Sequence, residues 1–353
     1  MILVYLLIFI LTIIFITINL KEDFISYKRC SKKPLVGLTK EIFNHNQIDN
    51  NNDEWDVYIP CGYNGVENEL KNLNNLQERQ KIYGIDGCDK IVSKNRLWEL
   101  MVSEYGFDEA SQLMPPTYIL KNHDDMVKFN KEFDSKNIYI LKKNVQRKKG
   151  IKISNNLYEI ENAKYDNYKL VQSMIESYLI NNRKFNIRLY VLVIAKDSNI
   201  KVYLHKYNKL LYTANKVNND KMDFDSNITN SYYVSKDIYD SHPFNIAELE
   251  KLTKNYKIED EMKAKLMKFC RAFVFPLGKL DRVKKNTKFQ LFGIDALYDK
   301  NGNIYFLEIN KGPDMKPKDD KDKKMKMKIL NDTFSKLDLI DDDHNLYNEI
   351  YSL

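Results

Sequence analysis

Three oxygen-bearing side chains near the C-terminal end of the chain have the types and spacing of a metal site. In "LFGIDALYDKNGNIYFLEINKGP", Leu291–Pro313, Asp295 lies in one apolar run, and Glu308 and Asn310 lie two residues apart in the next. The turn signal "KNGN" separates the runs and predicts a β-hairpin. Across that hairpin Asp295 falls near Glu308, while Glu308 and Asn310 share a face. Burying a carboxylate is expensive unless it is paired or binds a metal. Three oxygen ligands on one sheet face suit a hard cation such as Mg2+, with water and phosphate oxygens as its other ligands. A hairpin with polar residues on a wet face is the plain alternative, and the apolar neighbours on both strands favour the metal.

Two basic sets could hold the phosphates. Lys142 ends the apolar strand "NIYILKK" and precedes the basic loop "KNVQRKK", which carries Arg147, and then Gly150. A lysine on a strand beside a flexible hairpin loop is suited to gripping nucleotide phosphates. A solvated basic turn is the simpler reading of this stretch taken alone. In "RKFNIRLYVLV", Lys184, Asn186 and Arg188 alternate, so they share one strand face and require an anion there. Thr229 and Asn230 of "ITNS" offer a hydroxyl and an amide beside such a site. The histidines are scattered and receive no role. No G-x-S-x-G, Walker A or G-x-G-x-x-G pattern is present, and "CGYNG" lacks the third glycine of a dinucleotide loop.

The elements that must position these residues alternate between strands and helices. "WDVYIP", "PPTYIL", "NIYILKK", "GIKIS", "YKLVQSMI", "FNIRLYVLVIA" and the two C-terminal runs read as strands. "CDKIVSKNRLWELMVSEYG" reads as a helix ending at Gly106, and "HDDMVKFNKEF" and "EMKAKLMKFCRAFVFPLG" also read as helices. The mixture of hairpins and helices predicts an α+β fold, with antiparallel-rich sheets and flanking helices.

The 353 residues, 43% of them hydrophobic, suffice for a large core in more than one subdomain. The net charge of +7 permits an acidic partner. No nucleic-acid-binding signature accompanies it, so no nucleic-acid partner is expected. Cys30, Cys61, Cys88 and Cys270 form no CxxC pair and read as reduced thiols. Residues 1–20, "MILVYLLIFILTIIFITINL", are uncharged and long enough to span a bilayer. Lys21, Lys28, Arg29, Lys32 and Lys33 follow, and no basic residue precedes. The expectation is an N-terminal transmembrane helix with the rest of the chain in the cytoplasm. A cleaved signal peptide is the rival reading, but a basic n-region and a small-residue cleavage site are missing.

Together the motifs resemble the tubulin-tyrosine ligase-like family of the ATP-grasp fold, over most of Gly84–Leu337. "RKFNIRLYVLV" is similar to the family's "KFDIR.YVLV", and "LVQSMI" to "VQ.YI". "ITNS" is similar to "LTN", and "LFGIDALYD…NIYFLEINKGP" to "LFG.D…WL.EvN..P". "IDGCDKIVSKNRLWELM" resembles "pG…l(t/s)rKd.L", and in "DKKMKMKILND" Asp322 and Lys326 match "D..iK..ll.D". The resemblance implies ATP and Mg2+ as cofactors. Asp295, Glu308 and Asn310 would hold the metal. Lys142, Arg147, Lys184, Asn186, Arg188, Thr229 and Asn230 would surround the phosphates. Gln172, Ser173, Met174 and Ile175 would hold the adenine mostly through backbone groups, and Lys326 would serve the substrate. Lys142, Lys184 and Arg188 would be catalytic.

The implied reaction adds a free amino acid to a carboxylate of an acidic acceptor protein such as a tubulin tail, through an acyl phosphate, in a monomeric enzyme. An ATP-binding scaffold without turnover and an ATP-grasp ligase acting on another substrate are the alternatives. Three departures bear on this. The loop after Lys142 is one residue short, Asn186 replaces an aspartate, and the arginine usual in the following strand is missing near Leu211 or Tyr212. The expected division is an anchor at 1–20, a tether at 21–54 and an N-terminal domain at 55–114. A central ATP-grasp domain at 115–182, a C-terminal one with the metal site at 183–340 and a tail at 341–353 complete it.

Overall fold

The computed structural model describes residues 25–30, 33–62, 65–74, 76–145, 150–197, 199–229, 237–280 and 286–353. Among them run β1 (Ser26–Arg29), β2 (Asp49–Asn50), β3 (Val57–Ile59), β4 (Lys81–Tyr83), β5 (Thr117–Ile119), β6 (Tyr139–Lys142) and β7 (Ile151–Ser154). They are followed by β8 (Leu170–Ser173), β9 (Phe185–Lys196), β10 (Asn199–Tyr212), β11 (Lys288–Tyr298), β12 (Ile304–Asn310) and β13 (Tyr347–Ser352). A large mixed sheet has the order β13-β10-β9-β11-β4-β3-β1-β2, with β12 paired to β11, and a smaller one has the order β5-β8-β6-β7. The fold is mixed α/β.

The large sheet is built on β9. Its odd-numbered residues Phe185, Ile187, Leu189, Val191 and Val193 enter one core. On the other face the polar residues Asn186 and Arg188 give way to Tyr190 and Leu192, which enter a second core. Apolar residues on both faces are what a strand covered by helices on both sides requires. The helix Ile258–Leu280 covers the first face, where Phe269 stacks on Phe306 of β12 at 4.4 Å. The helix Asp320–Ser335 covers the second with Met325, Ile329 and Phe334. Asp319 caps it by accepting from the backbone N–H of Asp322 at 2.7 Å. The small antiparallel sheet packs Leu141 and Val171 against Tyr118 and Phe129.

Several expectations are corrected here. No helix among the described residues is long and apolar enough to cross a membrane, so the fold class stands without its N-terminal transmembrane helix. Residues 1–20, on which that expectation rested, lie outside the described residues. The stretch read as a tether carries β1 and the helix Gly37–His45, and the tail carries β13. These strands pair with partners far away in sequence, β1 in parallel with β3 and β2, and β13 with β10, so no local pattern reveals them. The parallel pairing also brings Cys30 and Cys61, 31 residues apart, to a Cα separation of 5.5 Å, and they are joined as a disulfide. Cys88 and Cys270 are free and buried. The helix expected to stop at Gly106 does stop there: Gly106 takes φ 75° and ψ 167°, outside helical space, and a second helical segment follows to Leu113.

The stack of Phe269 on Phe306 gives a direct test of this packing. Phe306→Ala removes a fully buried ring, and is expected to cost about 3–5 kcal/mol, read as a lowered denaturation midpoint at unchanged slope.

Candidate active site

The hydrogen-bond register of the large sheet assembles the site. Arg188 on β9 is paired with Asp295 on β11, and Asp295 with Glu308 on β12. Gly293 faces Asn310 in the same ladder. Arg188 grips Asp295 with two bonds, Nε to Oδ1 at 2.5 Å and a terminal nitrogen to Oδ2 at 3.0 Å. Asn310 Nδ2 donates to Glu308 Oε1 at 3.2 Å and to Asp295 Oδ2 at 3.4 Å. A Cβ at position 293 would stand 3.0 Å from Pro313 Cβ and 3.1 Å from Arg188 Cδ, so glycine admits the arginine side chain there. Along β9, Asn186 donates to Thr229 Oγ1 at 2.8 Å and Lys184 to Asn227 Oδ1 at 2.5 Å.

The small sheet supplies the opposite wall. Lys142, 6% exposed at the end of β6, donates to Gln172 Oε1 on β8 at 2.6 Å. Gln172 in turn donates to Thr117 Oγ1 at 2.7 Å. Burial lowers Lys142 to about 8 against the pull of Glu308. Glu308 is pushed up by burial, but Lys94, Lys142, the Asn310 amide and Arg188 outweigh this and hold it at about 2. Burial pushes Asp295 up against the pull of Arg188, and the charge of Glu308 adds to the effect.

Lys94 is the functional residue that the spacing arguments missed. Its Nζ lies 3.3 Å from Glu308 Oε2 and donates to the Val145 carbonyl at 3.2 Å. A cation is disfavoured by the dipole at a helix N-terminus, and the first turn of Lys94–Leu113 holds no acid. A lysine in that position was the available signal.

One cavity of about 1250 Å³ is lined by Lys94, Lys142, Gln172, Ser173, Met174, Ile175, Lys184, Asn186, Arg188, Thr229, Asp295, Glu308 and Asn310. Leu211, where the family's arginine was sought, also lines it. Arg147 and Asn230 lie outside the described residues. Lys326 is not brought to the cavity. It sits 2.9 Å from Asp322 and donates to the Lys316 carbonyl at 2.8 Å, which fixes the cavity-lining loop around Lys316. Two carboxylates and a carboxamide converge as an all-oxygen donor set, and this fits a hard cation.

The family model for the tubulin-tyrosine ligase family matches residues 72–346. The chain belongs to this family. Tubulin-tyrosine ligase family members belong to the ATP-grasp superfamily. Its curated relatives include a probable tubulin polyglutamylase, ttll-9, of Caenorhabditis elegans, 22% identical over 286 residues, which cover 76% of this chain and 64% of that protein. A probable beta-tubulin polyglutamylase of Tetrahymena thermophila is 24% identical over 272 residues, 68% of this chain and 22% of that protein. Tubulin monoglutamylase TTLL4 of Mus musculus is 24% identical over 320 residues, 82% of this chain and 26% of that protein. This family member therefore spans less than two thirds of the length of each of these relatives.

Lys142 yields a pH prediction. Nucleotide phosphates favour its ammonium form, and its value without nucleotide is about 8. Affinity for an ATP analogue is therefore expected to be full below that pH and to decline as pH rises through it. Lys142→Ala should weaken binding about tenfold or more, the scale of one charge-assisted contact, and should flatten this profile. Calorimetric titrations across the range measure both effects.

Proposed function

We propose that the protein is an ATP-dependent ligase that joins the amine of a free amino acid to a carboxylate of an acceptor protein. The convergence of Asp295, Glu308 and Asn310 with Lys94, Lys142, Lys184 and Arg188 in one cavity is the observation that carries this reading. In the first step an acceptor carboxylate oxygen bonds to the γ-phosphorus of ATP and the bond to the ADP oxygen breaks, giving an acyl phosphate. In the second, the amine attacks the acyl carbon, phosphate leaves, and the amine loses a proton as the amide forms. Phosphoryl transfer of this kind depends on positioning and charge neutralisation.

Asp295, Glu308 and Asn310 would hold Mg2+, which would neutralise phosphate charge when bound. Lys142 and Lys184 would hold phosphate oxygens from opposite walls, with Thr229 and Asn186 beside them. Arg188, fixed by Asp295 in two bonds, would present its remaining N–H groups to the transferred group. The segment Ser173–Ile175 would line the adenine side. The relatives named above act on tubulin, and the net charge of +7 suits an acidic acceptor. A scaffold that binds ATP without turnover is the second reading. It is favoured by Asn186, whose amide engages Thr229 where the family carries a carboxylate.

The purified protein, incubated with ATP, labelled amino acids and a lysate, is expected to form ADP and a labelled protein in equal amounts. Glu308→Gln keeps the shape and loses the charge, and should lower that rate about a hundredfold or more. ATP binding without ADP formation would favour the scaffold.

A further inference from the structure

A further cluster of metal-ligating side chains lies outside the set that the ligase reading uses. Cys30 directly follows β1, Cys61 lies in the loop after β3, and Glu69 sits in the helix Val66–Leu70. The two sulfurs and one Glu69 carboxylate oxygen lie within 4.8 Å of one another. Among the described residues, no other group of three histidines, cysteines or carboxylates converges so tightly. Glu69 is aimed by its neighbours. Its Oε1 accepts from the Tyr58 hydroxyl at 2.7 Å and from the Cys61 backbone N–H at 3.0 Å, and its Oε2 lies 3.3 Å from that same nitrogen. Carboxylates that bind metals are oriented by outer hydrogen bonds of this kind. The Cys30–Cys61 bond spans a Cα separation of 5.5 Å, and a disulfide needs no carboxylate beside it. Arg29, adjacent to Cys30, donates to the Cys61 carbonyl at 3.5 Å. A cation in that place favours thiolate over thiol.

We propose that Cys30, Cys61 and Glu69 bind Zn2+ when the cysteines are reduced, with water in the fourth position, and that the disulfide is the metal-free state of the same site. Two thiolates and a carboxylate suit a borderline-soft ion that takes four ligands in a tetrahedron. Bonds of about 2.0–2.3 Å to such an ion place its ligand atoms roughly 3.5–3.8 Å apart, inside the observed span. Two thiolates and one carboxylate offset the charge of the ion and leave one negative charge in excess, beside Arg29. Mg2+ takes oxygen ligands, so this site and the phosphate centre select different metals. The exchange between the two states balances with a small-molecule disulfide such as oxidised glutathione. The two thiolates give up two electrons and join, the glutathione S–S bond breaks and its sulfurs take up two protons, and two glutathione thiols and Zn2+ leave. Either state ties β1 to the loop after β3, and zinc adds the helix Val66–Leu70 to the tie. All three ligands precede residue 72, where the match to the family begins, so the site lies outside the matched region.

The test is a titration of the full chain, reduced with a phosphine, in which Co2+ serves as the spectroscopic stand-in for Zn2+ and Mg2+ is present throughout. The reduced chain is expected to take up Co2+ with a thiolate-to-metal charge-transfer band in the near ultraviolet and the intense visible bands of a tetrahedral ion. Added Zn2+ should displace the Co2+ and remove both. Cobalt at Asp295, Glu308 and Asn310 would show no such charge-transfer band, because no sulfur is among those ligands. Replacing both cysteines, Cys30→Ser with Cys61→Ser, should abolish the band. Glu69→Gln keeps both thiols and a hydrogen-bond acceptor but loses the charge. It should weaken Zn2+ binding at least about tenfold. It should still form the Cys30–Cys61 disulfide with oxidised glutathione as completely as the parent chain, which shows that the variant is folded. In the parent chain Zn2+ should slow that oxidation. No charge-transfer band from the reduced chain, a band that survives in the double serine variant, or an undiminished Zn2+ affinity in Glu69→Gln would overturn the proposal. None of these readouts needs ATP or turnover, so they stand apart from the ligase reading.

Discussion

Two carboxylates side by side in an apolar sheet constrain the rest of this structure. Asp295 and Glu308 are register partners on β11 and β12, and each would repel the other if left alone. Their neutralising cations come from three separate segments. Arg188 arrives on β9, Lys94 on the first turn of a helix, and Lys142 on the small sheet. The charge balance of the site therefore requires both sheets and the helix between them in sequence to meet at one place. Buried charges without partners are strongly destabilising, so the apolar cores and the ionic centre specify the same arrangement.

The polar ladders serve the same end. Lys142 is held by Gln172, Gln172 by Thr117, and Thr117 by the Pro115 carbonyl, so the position of one ammonium is fixed by three successive bonds. Lys209 and Lys326 share the buried Asp322, which ties β10 to the helix Asp320–Ser335. That helix in turn holds the loop at Lys316, which lines the cavity.

Much of the centre was legible because its spacing is local. The period-2 alternation of Lys184, Asn186 and Arg188, and of Glu308 and Asn310, states which side chains share a face. The Asn-Gly turn states which strand lies opposite. Lys94 was hidden because it reaches Glu308 across some two hundred residues of chain, and only its place at a helix N-terminus and in the family-like segment "IVSKNRLWELM" marked it. Gln172 was expected to meet the adenine through its backbone, and its side chain has a further role in holding Lys142, one that depends on the β6–β8 register. β1 and the Cys30–Cys61 bond were hidden for a related reason. Parallel pairing joins segments with a long connection between them, and the polar composition of residues 21–54 resembles a linker more than a sheet edge.

The central claim is that the face shared by β9, β11 and β12 is a metal-dependent phosphate centre. Calorimetric titration of the full chain with a non-hydrolysable ATP analogue, once in Mg2+ and once in EDTA, tests it most directly. The expected result is an affinity at least about tenfold higher in Mg2+, since three oxygen ligands would then hold the cation between protein and phosphates. Equal affinity in the two conditions, or no binding in either, would contradict a metal–phosphate centre at this site.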